Sequence, residues 1–397
     1  MMNPRFILYL VAFSAFMGPL TQTIYTPILP EVRTIFQTTP FLVNLSISIF
    51  TIFLALMQIV YGPLVDRRGR RVVLVPAMCL YLLVTVGASF ASSIGWLLVF
   101  RALQAVGIAA ASVVATTVIG DLFQGRERGR AMGTFQMMVS LGPVVGPMIG
   151  GWIGGAFGVH GIFYVLTVVG LFMLLMIVRF LPETKPEVSS GDAFSFRDFS
   201  FVLSQRIGAA VLALGFVQYY SFYNFLVFLP EVLTERYQLG AEEKGLVFLP
   251  LSLMIVIGSF LGGRFQERFD RRKFLITSSS LNVLALLLFT LLAESGLPVL
   301  MVCISLFGLM LGLSLPVQTT LLTEAFVGKR ATAIGMYNFF RYLGMAAGPL
   351  LGTPLFNTGG LTLLYGFATA FFAAVVWFAG MLLLKWKKGP IEGANQR

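Results

Sequence analysis

The sequence predicts an all-α membrane protein whose twelve transmembrane helices form two pseudo-symmetric six-helix bundles. Three observations predict this fold class: long apolar runs, basic residues concentrated in alternate loops, and a repeat at an offset of about 200 residues. The 397-residue chain is 57% hydrophobic and only 11% charged, whereas a soluble domain carries about 25% charged residues. A water-soluble fold of this composition could not cover its own surface with polar groups.

Apolar runs long enough to cross a bilayer occur twelve times, since a spanning helix needs roughly 20 apolar residues. The first run exceeds the roughly 7–15-residue core of a signal peptide and more runs follow, so we interpret it as an uncleaved first helix. Short links, such as residues 92–95, predict that neighbouring helices are antiparallel. The predicted spans cover residues 6–30, 41–61, 72–91, 96–119, 131–153, 160–181, 207–230, 245–263, 273–293, 297–320, 331–356 and 360–384.

Basic residues are unevenly distributed among the loops. The net charge of +11 would suggest nucleic acid in a soluble protein, but basic clusters between apolar runs are better explained by membrane topology. Only Arg33, Arg236 and Lys244 lie on the sparse side. Because Lys and Arg accumulate on the cytoplasmic side, we predict that both termini are cytoplasmic, in a bacterial inner membrane. The crowded side carries Arg67, Arg68, Arg70, Arg71, Arg126, Arg128, Arg130, Arg268, Arg271, Arg272, Lys273, Lys329, Arg330, Lys385, Lys387 and Lys388.

Two halves of the chain resemble each other. The tetrapeptide Leu-Pro-Glu-Val occurs at residues 29–32 and again at 229–232. A glycine, an acidic residue and arginines follow both the second and the eighth span, and a Gly-Pro pattern marks both the fifth and the eleventh. Three matches in register indicate a duplication, which places a binding site near mid-membrane between the halves. We predict an N-terminal bundle over residues 1–181, a cytoplasmic linker over 182–206, a C-terminal bundle over 207–384 and a cytoplasmic tail over 385–397.

Patterns typical of cofactor, metal or catalytic sites do not occur. Cys79 and Cys303 both lie inside apolar runs, which excludes a disulfide framework and disfavours a metal site. The single histidine, His160, lies in a short turn and is interpreted as an interfacial residue. No P-loop and no Ser/His/Asp cluster is visible. We therefore predict no cofactor, no enzyme activity and no direct use of ATP.

The loop after the second span resembles the signature loop of the major facilitator superfamily. Its glycines permit a tight turn, and Asp66 suits the positive end of a helix. The copy in the second half has Asp270 in place of the second glycine. Over essentially its whole length the chain resembles the superfamily's twelve-helix drug:proton antiporter branch, which implies the major facilitator fold. The signature residues are Gly62, Asp66, Arg67, Gly69, Arg70 and Arg71.

A Gly-Pro pattern in the fifth span resembles the antiporter motif of that branch. Glycines at this spacing allow close helix contact and prolines bend a helix, so generic helix packing is the alternative interpretation. The resemblance favours export over uptake. Residues 27–30 also match this branch, although Thr21 stands where a glycine is usual. The motif residues are Gly142, Pro143, Gly146, Pro147 and Gly150.

Two arginines lie within predicted spans. Arg101, with Gln104 on the same face, resembles an embedded arginine that the family uses in proton coupling; the alternative is a structural arginine bonded to backbone carbonyls. Arg341 in the eleventh span is interpreted as facing a cavity, with a structural role as the alternative. Because burying arginine in a bilayer costs several kcal/mol, each should face a cavity or a partner.

No carboxylate lies in the middle of a predicted span. This favours neutral, zwitterionic or anionic substrates over cationic ones and leaves the proton site open. We expect a network of Asp66, Arg70 and Asp121 at the cytoplasmic gate, together with Arg101, and Glu31 as an outer alternative.

Polar and aromatic residues recur on the spans that line the cavity in this superfamily. An apolar pocket with a few polar groups suits amphipathic ligands, although any single tyrosine could instead be an interfacial belt residue. The predicted substrate-binding residues are Gln22, Tyr25, Gln104, Gln136, Tyr219, Tyr223, Asn224, Asn338 and Arg341.

The predicted function is export of small amphipathic compounds, such as drugs, in exchange for protons by alternating access. The expected partners are the substrate, protons and the lipid bilayer, with no nucleic acid, and the chain is expected to function as a monomer. A dedicated exporter of one metabolite, sugar or lipid class is the alternative. A transporter-like sensor or a membrane-embedded enzyme is a remote one, because no output domain or catalytic cluster is visible.

Overall fold

The computed structural model describes residues 3–123, 125–185, 196–326 and 330–384, and the predicted tail lies outside this part of the chain. Residues 186–195 of the predicted linker and the loop residue Lys329 also lie outside it. Short 3-10 helices cover Thr26–Ile28 and Ala293–Ser295. The α-helices are α1 (Pro4–Thr23), α2 (Leu29–Ile35), α3 (Pro40–Arg68), α4 (Arg70–Ser89), α5 (Ile94–Leu122), α6 (Gly125–Phe180), α7 (Phe196–Ser204), α8 (Arg206–Tyr237), α9 (Ala241–Phe265), α10 (Arg271–Leu292), α11 (Leu297–Ala325) and α12 (Arg330–Leu384).

Ten helical segments of the described residues are long and apolar enough to cross a membrane. Two of them, Ala131–Phe180 and Thr332–Leu384, contain 50 and 53 residues. At 1.5 Å per residue each would be about 75 Å long, more than twice the hydrocarbon thickness of about 30 Å. Non-helical backbone at Gly158 divides α6 into two crossings, and Gly359 and Gly360 divide α12. The predicted all-α fold with twelve transmembrane helices is therefore confirmed.

Two local predictions were incomplete. The first span does not end at residue 30: α1 stops at Thr23, a 3-10 turn follows, and α2 continues to Ile35. Hydropathy missed this break because the residues around it are as apolar as the helix. The prediction of a polar linker also missed the nine-residue helix α7, which is too short to stand out as a hydrophobic run.

The chain divides into two compact units, which comprise the described residues within 1–194, 219–253 and 342–364 and within 195–218, 254–341 and 365–397. In the first unit α1 packs along α5 and α6, while α3 and α4 both pack on α5. The core between them is apolar, with Phe50, Leu74 and Val114 fully buried. In the second unit α10 packs on α11.

Candidate functional site

The turn between α3 and α4 is closed by a carboxylate from a distant part of the chain. Gly69 joins the two helices at φ 109°, a conformation that favours glycine. The Glu183 carboxylate accepts hydrogen bonds from the backbone N–H groups of Arg70 at 2.8 Å and Arg71 at 3.0 Å. These are first-turn donors of α4, so the carboxylate satisfies orphan N–H groups at the positive end of that helix.

The roles expected for two signature residues were wrong. Gly62 lies inside α3, six residues before Arg68 ends the helix, and forms no turn. Asp66 lies in the last turn of α3, so it caps no helix start. Glu183 fills that role instead. The signal that could have found it is the sequence Pro-Glu-Thr directly after the sixth span.

Glu183 gives the fold a dependence on acidic pH. Partial burial raises the pKa of Glu183, but backbone hydrogen bonds from Arg70, Lys185, Val72 and Arg71 outweigh this and hold the pKa below its ordinary value. Because the pKa of Glu183 is lower in the folded state, its carboxylate stabilises the fold fully at pH values above the unfolded-state pKa of about 4.3. This stabilisation is lost as the pH falls through the folded-state pKa.

We therefore expect Glu183→Gln to lower the melting temperature at pH 7, and the difference from the wild type to shrink as the pH falls below about 4.3. Thermal unfolding of both purified proteins across this range measures the effect. Glu267→Gln is the control, because Glu267 is exposed and forms no ion pair with the described residues. A difference that stays constant from neutral to acidic pH would contradict this assignment.

The predicted network of Asp66, Arg70 and Asp121 is brought together. Arg70 is 5% exposed, and its Nε and Nη2 donate to Asp121 Oδ2 at 2.9 Å and Oδ1 at 3.3 Å. Thr184 donates to the same carboxylate at 2.8 Å. Asp66 is a weaker member, because it is half-exposed and lies 3.8 Å from Arg70. The tight element is thus the bidentate pair of Arg70 and Asp121.

The second half repeats this pair in an exposed form. Arg271 and Glu324 occupy the positions that correspond to Arg70 and Asp121, and Arg271 Nη1 bonds to Glu324 Oε1. Their side chains are 36% and 51% exposed. Asp270, which replaces the second glycine of the signature, accepts a hydrogen bond from the N–H of Lys273 and so caps α10 itself. The two halves therefore solve the same helix-capping problem with different residues.

Arg101 is fully buried in the first unit. Its Nη1 donates to the carbonyl oxygen of Thr21 at 3.0 Å and to Gln104 Oε1 at 3.2 Å. The guanidinium lies 4.3 Å from the ring centre of Phe50 and 4.9 Å from that of Tyr25. It forms no ion pair with any carboxylate of the described residues. Thr21 is one of the last carbonyls of α1, so Arg101 also stabilises the negative end of that helix.

The glycines of the fifth-span motif face α1 and allow its backbone to approach. A Cβ atom at Gly142 would lie 2.5 Å from Pro19 Cβ, and one at Gly150 would lie 1.5 Å from the carbonyl oxygen of Ile24. Thr23 Oγ1 also donates to the carbonyl oxygen of Gly142 at 3.2 Å. Both the packing interpretation and the motif assignment fit this geometry, because close contact between α6 and α1 is what the glycines provide.

We expect Gly150→Ala to destabilise the protein by about 1–3 kcal/mol or more, because the added methyl group meets a backbone oxygen that no rotamer change can remove. The melting temperature of the purified protein measures the loss. Gly133→Ala is a matched control in the same helix, since no atom lies within 4 Å of a Cβ atom built there. Equal melting temperatures for the two variants would contradict the close contact.

The copy of this motif in α12 packs against α8 in the same way. A Cβ atom at Gly348 would lie 3.1 Å from the carbonyl oxygen of Tyr220. One at Gly352 would lie 2.5 Å from the ring of Phe228 and 2.9 Å from Asn224 Oδ1. The repeated glycines thus place the predicted binding residue Asn224 directly beside α12.

Two ion pairs join α2 to helices of the second half within the first unit. Lys244 at the start of α9 is fully buried, and its Nζ lies 2.6 Å from Glu31 Oε1. Arg33 Nη1 lies 2.6 Å from Glu231 Oε1 on α8. Glu31 was a predicted coupling residue, but its partner and the second pair were not predicted. The repeated Leu-Pro-Glu-Val motif, which contains both carboxylates, was the available signal.

Close backbone contact surrounds these ion pairs. A Cβ atom at Gly151 of α6 would lie 2.5 Å from the carbonyl oxygen of Ala241, and one at Gly245 would lie 2.9 Å from that of Pro147. Lys244 also donates to Thr234 Oγ1 at 3.1 Å. The buried ammonium group therefore lies in a tightly packed junction of α2, α6, α8 and α9.

The remaining predicted binding residues fall into three groups. Gln22, Tyr25, Tyr219 and Tyr223 are buried in the first unit with Gln104 and Asn224. Gln136 is exposed on α6. In the second unit Arg341 Nη1 lies 3.4 Å from Asn338 Oδ1, and its guanidinium lies 5.2 Å from the ring centre of Tyr337.

These features define a multi-pass membrane transport protein: twelve crossings, a duplicated framework, buried polar groups within the spans, and ion pairs at the ends of the helices. Within the described residues no group of His, Cys, Asp and Glu side chains could hold a metal ion. The sequence model described as Major Facilitator Superfamily matches residues 11–215 and 211–396. The chain belongs to this superfamily.

Its relatives include transporters of several kinds. Uncharacterized MFS-type transporter YdgK of Bacillus subtilis (strain 168) is 28% identical over 356 residues, which are 87% of this chain and 88% of that protein. Citrate exporter 1 of Aspergillus niger is 34% identical over 183 residues, 46% of this chain and 35% of that protein. Multidrug resistance protein 3 of B. subtilis is 24% identical over 358 residues, 75% of this chain and 68% of that protein.

Among solved structures, the D-xylose-proton symporter superposes with a TM-score of 0.77. The match covers 96% of this chain and 98% of that one, at 15% sequence identity. At this identity the likeness concerns the fold alone.

Proposed function

We propose that this chain exports small amphipathic compounds in exchange for protons, by alternating access to one site between its two halves. The observation that carries the proposal is the pair of ion bridges between α2 and helices α8 and α9. Opening this end of the protein requires that Glu31 separate from Lys244 and Glu231 from Arg33. Protonation of either carboxylate removes its charge and so favours the open state.

The direction of coupling follows from the predicted topology. We assign α2 and its ion pairs to the extracellular end, and the sparse basic residues on this side support that assignment. Protons that enter from outside would therefore open this end, where substrate leaves. Multidrug relatives such as Multidrug resistance protein 3 support drug-like substrates, and a role in antibiotic resistance is part of the proposal.

At the predicted cytoplasmic end, the network of Asp66, Arg70 and Asp121 is the proposed inner gate. Glu183 holds the start of α4 in place beside it. The proposed substrate-binding residues are Gln22, Tyr25, Gln104, Gln136, Tyr219, Tyr223, Asn224, Asn338 and Arg341. We propose further that the protein works as a monomer in a bacterial inner membrane, with both termini cytoplasmic.

Proton movement driven by substrate in proteoliposomes tests the proposal. Wild-type protein is reconstituted with a pH-sensitive dye inside, and cationic, neutral and anionic amphiphiles are added in turn. Movement of protons with several unrelated compounds is the expected result, and Glu31→Gln should uncouple it. Glu242→Gln is the matched control, because Glu242 is an exposed carboxylate on α9 with no ion pair among the described residues. Substrate flux without any proton movement would disprove antiport.

A dedicated exporter of one metabolite class is the second candidate. The observation that favours it is the similarity to Citrate exporter 1, which covers 46% of this chain. In the same assay such an exporter would respond to one compound class only, whereas a multidrug exporter would respond to several.

A further inference from the structure

We infer that the Nε–Nη2 edge of Arg101 binds the carboxylate of an amphipathic organic anion. The inference rests on the proposed export function and names the class of substrate that this site takes. It begins from the hydrogen bonds of the guanidinium, which has five N–H donors. Both hydrogen bonds that Arg101 donates to described residues come from Nη1. Nε and Nη2 are buried and have no hydrogen-bond partner among those residues.

The free edge has the geometry that a carboxylate requires. Nε and Nη2 of an arginine donate in parallel and match the two oxygens of a carboxylate. Arg70 of this protein shows the arrangement, since its Nε and Nη2 donate to the two oxygens of Asp121. Arg101 presents the same edge, but no carboxylate of the described residues occupies it.

Charge balance supports the same conclusion. Three basic side chains are buried in the described part of the chain: Arg70, Arg101 and Lys244. Arg70 pairs with Asp121 and Lys244 with Glu31. Among the described residues, Arg101 contacts aromatic faces and neutral oxygens, and these compensate a buried cation less than a carboxylate does. A substrate that carries the missing negative charge would therefore be held more strongly than its neutral analogue.

The helix next to Arg101 is interrupted close to the guanidinium. The first span is broken at Ile24 and Tyr25, in the turn after the Thr21 carbonyl group that Arg101 contacts. Discontinuous transmembrane helices commonly form transporter binding sites. The Tyr25 ring covers the guanidinium, with its centre 4.9 Å away. Displacement of Tyr25 would expose the free edge.

The surroundings of Arg101 define the rest of the ligand. Phe50 and Tyr25 lie against the guanidinium, and the core beyond Phe50 is apolar. The amide oxygen of Gln104 is the one side-chain polar contact of the guanidinium among the described residues. A single carboxylate on an apolar or aromatic body fits these groups, whereas a second charge would lie in the apolar core without compensation.

Equilibrium binding to the purified protein tests this inference. The probes are 2-naphthoate and decanoate, each compared with its uncharged primary amide, and 2-naphthyl phosphate, measured by calorimetry. We expect the wild type to bind at least one carboxylate about tenfold more tightly than its amide. Arg101→Lys keeps the charge but loses the paired donors and should weaken carboxylate binding about tenfold. Arg101→Gln should abolish the preference for carboxylate over amide.

Arg264→Gln is the matched control, because Arg264 also lies over an aromatic ring, 4.2 Å from the centre of Phe260, but is exposed at the end of α9. It should bind all probes like the wild type. Absence of a carboxylate preference in the wild type, or its persistence in Arg101→Gln, would overturn the inference, as would tighter binding of the phosphate. If Arg101→Gln does not give monodisperse protein, Arg101→Lys alone decides. Binding needs no proton gradient, so a failure of proton-coupled export would leave this result unaffected.

Discussion

Replacing Glu31 with glutamine is expected to destabilise the protein by about 3–5 kcal/mol, the usual loss when a buried charge is left without its partner. The substitution leaves the ammonium group of Lys244, whose side chain is 0% exposed, with Thr234 as its remaining partner. Unfolding of the purified protein in a graded series of denaturant measures the loss.

Lys244→Met should have a smaller effect, because the Glu31 side chain that it leaves unpaired is 38% exposed. The exchanged pair Glu31→Lys with Lys244→Glu should recover part of the stability. Glu231→Gln is the matched control from the neighbouring pair. It leaves Arg33, which is 37% exposed, without its partner, and a charge exposed to this degree loses only about 0–1 kcal/mol. Equal losses for Glu31→Gln and Glu231→Gln would show that the burial of Lys244 does not strengthen its ion pair.

This prediction also bears on the proposed mechanism. A transporter must release the contacts at one end during each cycle, so a contact there has to be strong enough to hold yet possible to break. A buried ion pair whose carboxylate accepts a proton meets both requirements. In the proposed mechanism, the stability that the Glu31–Lys244 pair contributes and the free energy that a proton would have to supply to open this end concern the same pair of atoms.

The fold could be predicted because bilayer thickness fixes the length of apolar runs, and because the repeat supplied an independent check. The helix break near Tyr25 could not be predicted from the sequence. The residues on both sides of the break are apolar, and only backbone hydrogen bonding distinguishes this segment from a continuous helix. The positions of Gly158 and Gly360 were predicted only as short links, and the structure shows the backbone conformations that divide α6 and α12.

The predictable part of the site followed from local motifs and the unpredicted part from long-range contacts. Asp66, Arg70 and Asp121 belong to recognisable patterns at one predicted membrane face, so their approach was expected. Glu183 lies 113 residues from the N–H group that it binds. Lys244 lies 213 residues from Glu31. No periodicity links positions so far apart, and a lysine on a short loop gave no sign that it would be buried.

Arg101 illustrates a further limit of the sequence. Its position in an apolar run predicted burial and a partner, and the structure confirms the burial. The sequence could not predict which N–H groups of Arg101 donate hydrogen bonds. This depends on the break in α1 that brings the Thr21 carbonyl group to Nη1. The direction of that one contact leaves the other edge of the guanidinium free.

The internal repeat allows a comparison of one ion pair in two environments. Arg70→Gln is expected to destabilise the protein by about 3–5 kcal/mol, because it leaves the Asp121 carboxylate, 15% exposed, without its bidentate partner. Arg271→Gln in the second half removes the corresponding arginine. The side chains of Arg271 and Glu324 are 36% and 51% exposed, so a loss of only about 0–1 kcal/mol is expected. Denaturant unfolding of both variants measures the difference.

Salt dependence separates this explanation from a general effect of losing an arginine. Screening weakens exposed pairs far more than buried ones, so the small loss in Arg271→Gln should vanish in high salt while the loss in Arg70→Gln should remain. The double variant Arg70→Gln with Asp121→Asn should be more stable than Arg70→Gln alone, because it removes the unpaired charge. Equal losses of stability in Arg70→Gln and Arg271→Gln would contradict this explanation. They would mean that the strength of the ion pair depends on its position in the repeat, and that burial of the Arg70 pair adds nothing to it.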